Sequence, residues 1–259
     1  MRKIYILPNL ITTANIVCGF LAMVHAYQGD FTRACWFIVI GAICDSLDGR
    51  VARLAKATSQ FGVQYDSLSD LTSFGVAPAM MMFMYALQNL GRFGISVAAF
   101  YCVCAALRLA RFNVGAEEVA DPEVPISARK KIRKGYFQGL PSPASAGLVV
   151  STILVQQEFS LLTPTALAWC IAALCALLAG LMISSIPFPS FKEANWRARG
   201  KSWILLIPLV MILSVIQAPE LTLFVIGYIY LFLGMGWAFY LHGVRDKKHA
   251  AMNGVQRAV

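Results

Sequence analysis

Apolar runs recur along the chain at residues 6–27, 31–54, 63–90, 93–112, 144–162, 165–186, 203–216 and 221–241, separated by short polar stretches. Most reach the ~20 residues that a helix needs to cross a bilayer. The pattern predicts an all-α polytopic transmembrane bundle of about eight spans. The fifth and seventh suit a full crossing least: Gln156, Gln157 and Glu158 interrupt one, and the other is short and carries Pro208. A pair of interfacial helices is the alternative there. The sizeable polar connection, residues 113–138, runs from acidic (Glu117, Glu118, Asp121, Glu123) to basic (Arg129 to Lys134), as suits either a loop beside lipid head groups or a plain solvated one. The pattern divides the chain into one transmembrane domain, 1–241, and a polar tail, 242–259.

Composition agrees: 58% of the residues are hydrophobic and 14% charged, against about a quarter charged in a soluble domain. A net charge of +9 raises the question of a nucleic-acid partner. The distribution of the cations answers it, because 20 of the 22 Lys and Arg fall on one side of an eight-span alternation and only Arg33 and Arg92 on the other. Both termini are then expected in the cytosol, in a bacterial inner (cytoplasmic) membrane, and no nucleic acid is needed. Pro8, Asn9, Thr12, Thr13 and Asn15 break the first run too often for a cleaved signal peptide. The seven Cys lie in apolar runs without a C-x-x-C pair and read as small hydrophobes. His25, His242 and His249 stand far along the chain from the acidic cluster described next and are assigned no role.

Nine of the 13 acidic residues lie in loops, tails or span edges; the others are Asp45, Asp48, Asp66 and Asp70, at the end of the second span and the start of the third. A carboxylate at full membrane depth costs roughly 2.5–3.5 kcal/mol, less near the interface, so something must compensate these four. Asp45 and Asp48 are spaced i,i+3, Asp66 and Asp70 i,i+4, and each pair projects from one helix face. A turn around residues 58–61 brings the pairs together, where they either take up protons or bind a cation. Hard oxygen ligands suit Mg²⁺ or Mn²⁺, and four carboxylates suffice for two ions, a common device for handling phosphate. Between the pairs, Gly49, Ala52 and Gly62 permit close helix packing or a bulky ligand, and Arg53 either neutralises phosphate oxygens or anchors the helix at the interface.

Taken together, Asp45-x-x-Asp48-Gly49-x-x-Ala52-Arg53, eight residues, then Gly62-x-x-x-Asp66-x-x-x-Asp70 resembles the signature of the CDP-alcohol phosphatidyltransferase family at every fixed position. The resemblance implies a six-helix core with two further C-terminal helices, a homodimer, and attack of an alcohol on the lipid-bearing phosphorus of a CDP-linked substrate with release of CMP. It also implies that Asp45, Asp48 and Asp66 hold metal, that Asp70 is ligand, general base or both, and that Gly49, Ala52, Arg53 and Gly62 line the nucleotide and diphosphate site.

Three stretches, Leu71 to Pro78, Ala110-Arg111-Phe112-Asn113 and Phe137 to Ala144, are similar to the membrane-integral branch of that family that uses serine. The implied partners are CDP-diacylglycerol and L-serine. Serine brings a carboxylate that needs a cation: Arg108, Arg111 and Lys134 either supply it or anchor helices at the interface. Ser73 either hydrogen-bonds substrate or bonds its own i−4 carbonyl. The rivals are a sister transferase using glycerol 3-phosphate, an inositol compound or choline, and, from another class, a cation transporter.

Overall fold

The computed structural model describes residues 6–54, 59–120, 139–184, 186, 214 and 217–236, and every regular element among them is helical. Helix α1 (Ile6–Tyr27) stops at Gly29, whose φ of +80° is open to glycine without strain. Asp30 then caps α2 (Phe31–Leu54), accepting the Arg33 N–H at 3.0 Å and pairing with its guanidinium at 3.3 Å. The two helices pack antiparallel along their length. Helix α3 (Gln60–Asp70) opens at Ser59, whose hydroxyl accepts the Gly62 N–H at 3.0 Å.

The third apolar run is not one regular helix. After Asp70 it widens into a π-helical turn, Leu71–Val76, and resumes as α4 (Ala77–Tyr85). Pro78 explains the turn: it has no N–H for the Phe74 carbonyl, and its ring crowds that carbonyl in a regular helix. The wider turn sends the Ala77 N–H to Thr72 and leaves the Phe74 carbonyl to accept the buried Tyr101 hydroxyl at 3.3 Å. A short 3₁₀ turn, Leu87–Leu90, and Gly91 at φ +55° reverse the chain into α5 (Arg92–Ala120), which runs back toward the carboxylate end.

Helices α6 (Ser142–Phe159) and α7 (Pro164–Ile183) form a hairpin around Ser160 in the left-handed conformation. The entry to α6 is pinned: Gly139 N–H donates to Ile186 O at 2.8 Å and Leu140 N–H to Leu181 O at 3.0 Å. Gly139 has φ +90°, and a Cβ there would strike the Met182 carbonyl and lie 3.1 Å from that of Ser184. Gly139→Ala is therefore expected to destabilise the fold by about 2–6 kcal/mol, seen as a lower thermal unfolding midpoint in detergent. Helix α8 (Pro219–Gly236) docks on α6 through Tyr228, whose hydroxyl is 2.9 Å from that of Thr152. Tyr228 thus packs α8 against α6.

Two radial zones follow. The core of Phe74, Met81, Met82, Tyr101, Leu148 and Ile153 is fully buried together with Asn15, Ser69, Ser73, Ser142, Ser145 and Ser151. Outward, Phe20, Ile43, Ile95, Phe100, Val103, Leu107, Trp169, Phe232 and Leu233 are exposed. Buried polar side chains set among the apolar core, with large apolar side chains exposed outside, is the arrangement of a membrane bundle. Cys170 also faces outward, unlike the buried Cys18, Cys35, Cys104 and Cys175.

The expectation of eight spans holds in part. Among the described residues four helices are long and apolar enough to cross a membrane: Pro8–Tyr27, Arg92–Gly115, Pro164–Ile183 and Pro219–Gly236. The second run forms α2 but carries Asp45, Asp48, Arg50 and Arg53 in its inner half, and the third is divided by the π turn. The fifth forms α6, with Gln156 to Glu158 closing the helix rather than interrupting it; Gln156 Nε2 donates to Leu162 O at 3.2 Å. Helix α5 continues eight residues past the expected end at residue 112, into the stretch expected to be a polar loop. The seventh run (203–216, apart from residue 214) and the tail 242–259 lie outside the described residues.

Candidate active site

One end of the bundle gathers the start of α1, the end of α2, the start of α3, the end of α5, the start of α6 and the end of α7. The carboxylates stand there. Asp45, Asp48 and Asp66 each offer an oxygen, and these three atoms lie within 4.8 Å of one another. Asp70, one turn beyond Asp66, is within hydrogen-bonding reach of Asp45. Asp66 Oδ1 and Asp70 Oδ1 are buried with no partner among the described residues. Close-set acidic oxygens with lone pairs unanswered by protein donors match the needs of a hard divalent cation. The donor set therefore fits Mg²⁺ or Mn²⁺ on the evidence of its own geometry.

Other elements hold the carboxylates in place. Asp48 is the most buried, at 4% exposure. The Thr12 hydroxyl of α1 lies 2.9 Å from Asp48 Oδ2 and donates to it. One turn further round, the Ser69 hydroxyl donates to the Thr12 carbonyl at 3.2 Å, so a single residue of α1 ties together the two carboxylate helices. Thr13 meets the Tyr65 hydroxyl at 2.9 Å. On the opposite side Asn113 Nδ2 donates to the Ser67 hydroxyl at 2.9 Å, which fixes α3 against α5.

Gly49 stands at the rim beside Asp48. Gly62 is tight against Ser59, where a Cβ would lie 3.1 Å from the hydroxyl. Ala52 and Arg53 belong to α2, but their side chains lie outside the described residues, as does all of Lys134. Arg108 reaches in from α5: its Nη1 donates to the buried Ser142 hydroxyl at 2.8 Å, and its buried Nε has no partner. It is near enough to Asp70 for the two charges to interact. Arg111, one turn on, is exposed and donates to the Ile183 carbonyl at 3.3 Å, joining α5 to the end of α7. Ser73 stands apart from this group. It is fully buried, and its hydroxyl donates to the Asn15 carbonyl at 2.8 Å, across a helix contact rather than to its own i−4 carbonyl. Gly19 of α1 faces it so closely that a Cβ would fall 2.9 Å from the Ser73 backbone.

Thr12, Ser69, Ser142 and Asn113 have no site role assigned from sequence. A signal existed for the first: Pro8, Thr12, Asn15 and Gly19 recur at i, i+4, i+7 and i+11, one face of α1. Polar and small residues at helical spacing within an apolar run mark a face turned to the interior.

An outward-apolar helical bundle with a hard-oxygen cluster at one end defines an integral membrane protein built around carboxylates suited to a divalent cation. Comparison with known proteins makes this specific. The family model described as CDP-alcohol phosphatidyltransferase matches residues 5–179, and the chain belongs to that family, whose members are divalent-metal-dependent transferases. A Helicobacter pylori protein named CDP-diacylglycerol–serine O-phosphatidyltransferase is 35% identical over 240 residues, covering 92% of this chain and 94% of its own. Proteins of the same name from Saccharomyces cerevisiae (34% over 200 residues; 74% and 62% covered) and Bacillus subtilis (32% over 187 residues; 72% and 92%) are also similar.

Proposed function

We propose that this protein transfers the phosphatidyl group of CDP-diacylglycerol to the hydroxyl of L-serine, giving phosphatidylserine and CMP. The observation that carries the reading is the pairing of an acidic cluster suited to a divalent cation with a half-buried Arg108 near Asp70, whose buried Nε is unpartnered, in a chain whose relatives bear that name. Asp45, Asp48, Asp66 and Asp70 would hold Mg²⁺ or Mn²⁺, two ions for four carboxylates. A cation held there would supply positive charge to offset that of the diphosphate.

The chain's own groups supply the rest. Asp70 accepts the proton of the serine hydroxyl as its oxygen bonds to the lipid-side phosphorus and the phosphorus–oxygen bond to CMP breaks. Thr12 holds Asp48 in place while this happens. Arg108 receives the serine carboxylate through a charge-assisted hydrogen bond, its orientation set by Ser142. Gly49, Ala52, Arg53 and Gly62 line the nucleotide side, where small residues admit the diphosphate and the cation answers its charge. Ser73 is left out of the serine site because its hydroxyl serves the α1 contact; Arg111 and Lys134 are further candidate cations for the serine carboxylate. The site opens to the cytosolic leaflet of a bacterial inner membrane, with both termini on that side. The lipid enters sideways from the bilayer and the serine comes from water. The active unit is a homodimer, each chain a single catalytic domain through residue 241.

Purified protein given CDP-diacylglycerol and a divalent cation is expected to release CMP only when L-serine is added. Arg108→Gln is expected to raise KM for serine by ~10–100-fold and to leave KM for CDP-diacylglycerol unchanged, the loss of one charge-assisted hydrogen bond. CMP release with glycerol 3-phosphate and none with serine would overturn the acceptor. No CMP release with any alcohol, alongside cation uptake into vesicles, would make the protein a transporter.

A further inference from the structure

The polar face of α1 goes one turn deeper than the carboxylates. Asn15 is fully buried there, and neither its Oδ1 nor its Nδ2 has a partner among the described residues. An unanswered carboxamide in a membrane interior costs about 1–3 kcal/mol, and an apolar residue of the same shape avoids that cost. Its neighbours locate it. Its Oδ1 lies 2.9 Å from the point where a Cβ on Gly41 would sit, so the glycine is what makes room for the amide. Its carbonyl accepts the Ser73 hydroxyl at 2.8 Å. Gly41 precedes Asp45 by one turn on α2, and Ser73 follows Asp70 by about one turn. Asn15 therefore stands between the two carboxylate helices, directly beneath the Asp45–Asp70 pair, whose own Asp70 Oδ1 is buried and unpartnered.

We propose that Asn15 is a positioning residue of the active site: its carboxamide forms the membrane-side floor under Asp45 and Asp70 and, through water held between them, orients the Asp70 carboxylate toward the acceptor hydroxyl. Asn15 and Asp70 each bury an orphaned polar atom, and the residues Asn15 touches, Gly41 and Ser73, stand about one turn from Asp45 and Asp70; groups so placed suit a water that makes several hydrogen bonds. The amide offers both a donor and an acceptor, so it directs such a water whichever way Asp70 is turned. It does not touch substrate and takes no proton. It acts through Asp70, so this inference rests on the general-base reading above.

The test compares Asn15→Leu, Asn15→Ala and Asn15→Ser with the native protein, measuring CMP release at varied serine and CDP-diacylglycerol together with thermal unfolding. The expected result is a kcat ~10²-fold lower in Asn15→Leu, both KM values within a few-fold, and an unfolding midpoint equal to or above the native one. Asn15→Ala and Asn15→Ser leave nearly the same space and differ by one hydroxyl; the Ser variant is expected to keep several-fold more kcat than the Ala variant. Equal kcat in those two, or near-native kcat in Asn15→Leu, overturns the proposal. So does failure of the Ala and Ser variants alike to fold, which makes Asn15 a packing residue. If the native protein releases CMP with another alcohol instead of serine, the acceptor reading fails by itself, and the same variants are scored with that alcohol.

Discussion

Asp70→Asn is expected to reduce kcat for CMP release by ~10²–10⁴-fold while leaving the helical fold intact, the range over which a positioned general base contributes. The substitution is nearly isosteric, so the packing of α3 against α1 is preserved. Its electrostatic consequence is favourable to folding: one of four mutually repelling carboxylates loses its charge, and Asp45, within hydrogen-bonding reach, gains an amide donor. A midpoint below that of the metal-stripped native protein is therefore not expected, and a loss of rate is not attributable to a damaged fold. What disappears is the acceptor for the hydroxyl proton. Asp70 is suited to that task because it lies at the margin of the cluster: the three oxygens that converge within 4.8 Å belong to Asp45, Asp48 and Asp66. Its Oδ1 is unpartnered, and Arg108, proposed to receive the acceptor's carboxylate, lies near enough for the two charges to interact. The check is steady-state CMP release together with far-ultraviolet circular dichroism and thermal unfolding in detergent. Native activity in a folded Asp70→Asn protein would remove Asp70 as the base.

The parts of the fold and site that depend on local chemistry were legible in the sequence, and the parts that depend on which face meets which were not. Gly29 and Asp30 mark the first reversal by φ and by capping, and α1 and α2 run over the expected residues. The four Asp stood out because charge in an apolar run is costly, and spacing alone put each pair on one face. The π turn is different: Pro78 is visible in the sequence, but what makes the wide turn satisfactory is the Tyr101 hydroxyl reaching the Phe74 carbonyl from another helix. Facing is the harder matter in a membrane. Lipid and core are both apolar, so the periodicity that orients a helix in water has little contrast here. What remains is the placement of small and polar residues. Thr12 and Asn15 carried that information, yet in the first run they read only as interruptions of a signal-peptide pattern. Ser73 shows the same limit, since its partner lies across a helix contact that sequence spacing does not reveal.

Removal of divalent cations should abolish CMP release, and it should also loosen the protein itself. Without the cation, Asp45, Asp48 and Asp66 bring oxygens within 4.8 Å of one another at a partly buried site, with Asp70 beside them. Unneutralised, that arrangement pushes the ends of α2 and α3 apart, and the Thr12 hydroxyl and Ser69 contacts that hold them each contribute only about 1 kcal/mol. A cation that binds the folded site and not the unfolded chain stabilises it by RT ln(1 + [M]/Kd), about 2.7 kcal/mol at a concentration of one hundred times Kd. The protein stripped by chelator is therefore expected to unfold at a lower temperature, and titration with Mg²⁺ or Mn²⁺ should raise the midpoint and restore CMP release over the same concentration range. Asp48→Asn and Asp66→Asn supply the control. Each removes a ligand and a repelling charge at once, so each should unfold at or above the stripped native midpoint and respond little to added metal. A native protein whose midpoint does not move with Mg²⁺ or Mn²⁺, or an Asp66→Asn protein that responds as fully as the native one, would mean that these carboxylates are held apart by something other than a metal. The coincidence of the stability and activity titrations is the stronger criterion, because a cation acting only on the substrate's diphosphate would restore turnover without changing the melting of the free protein.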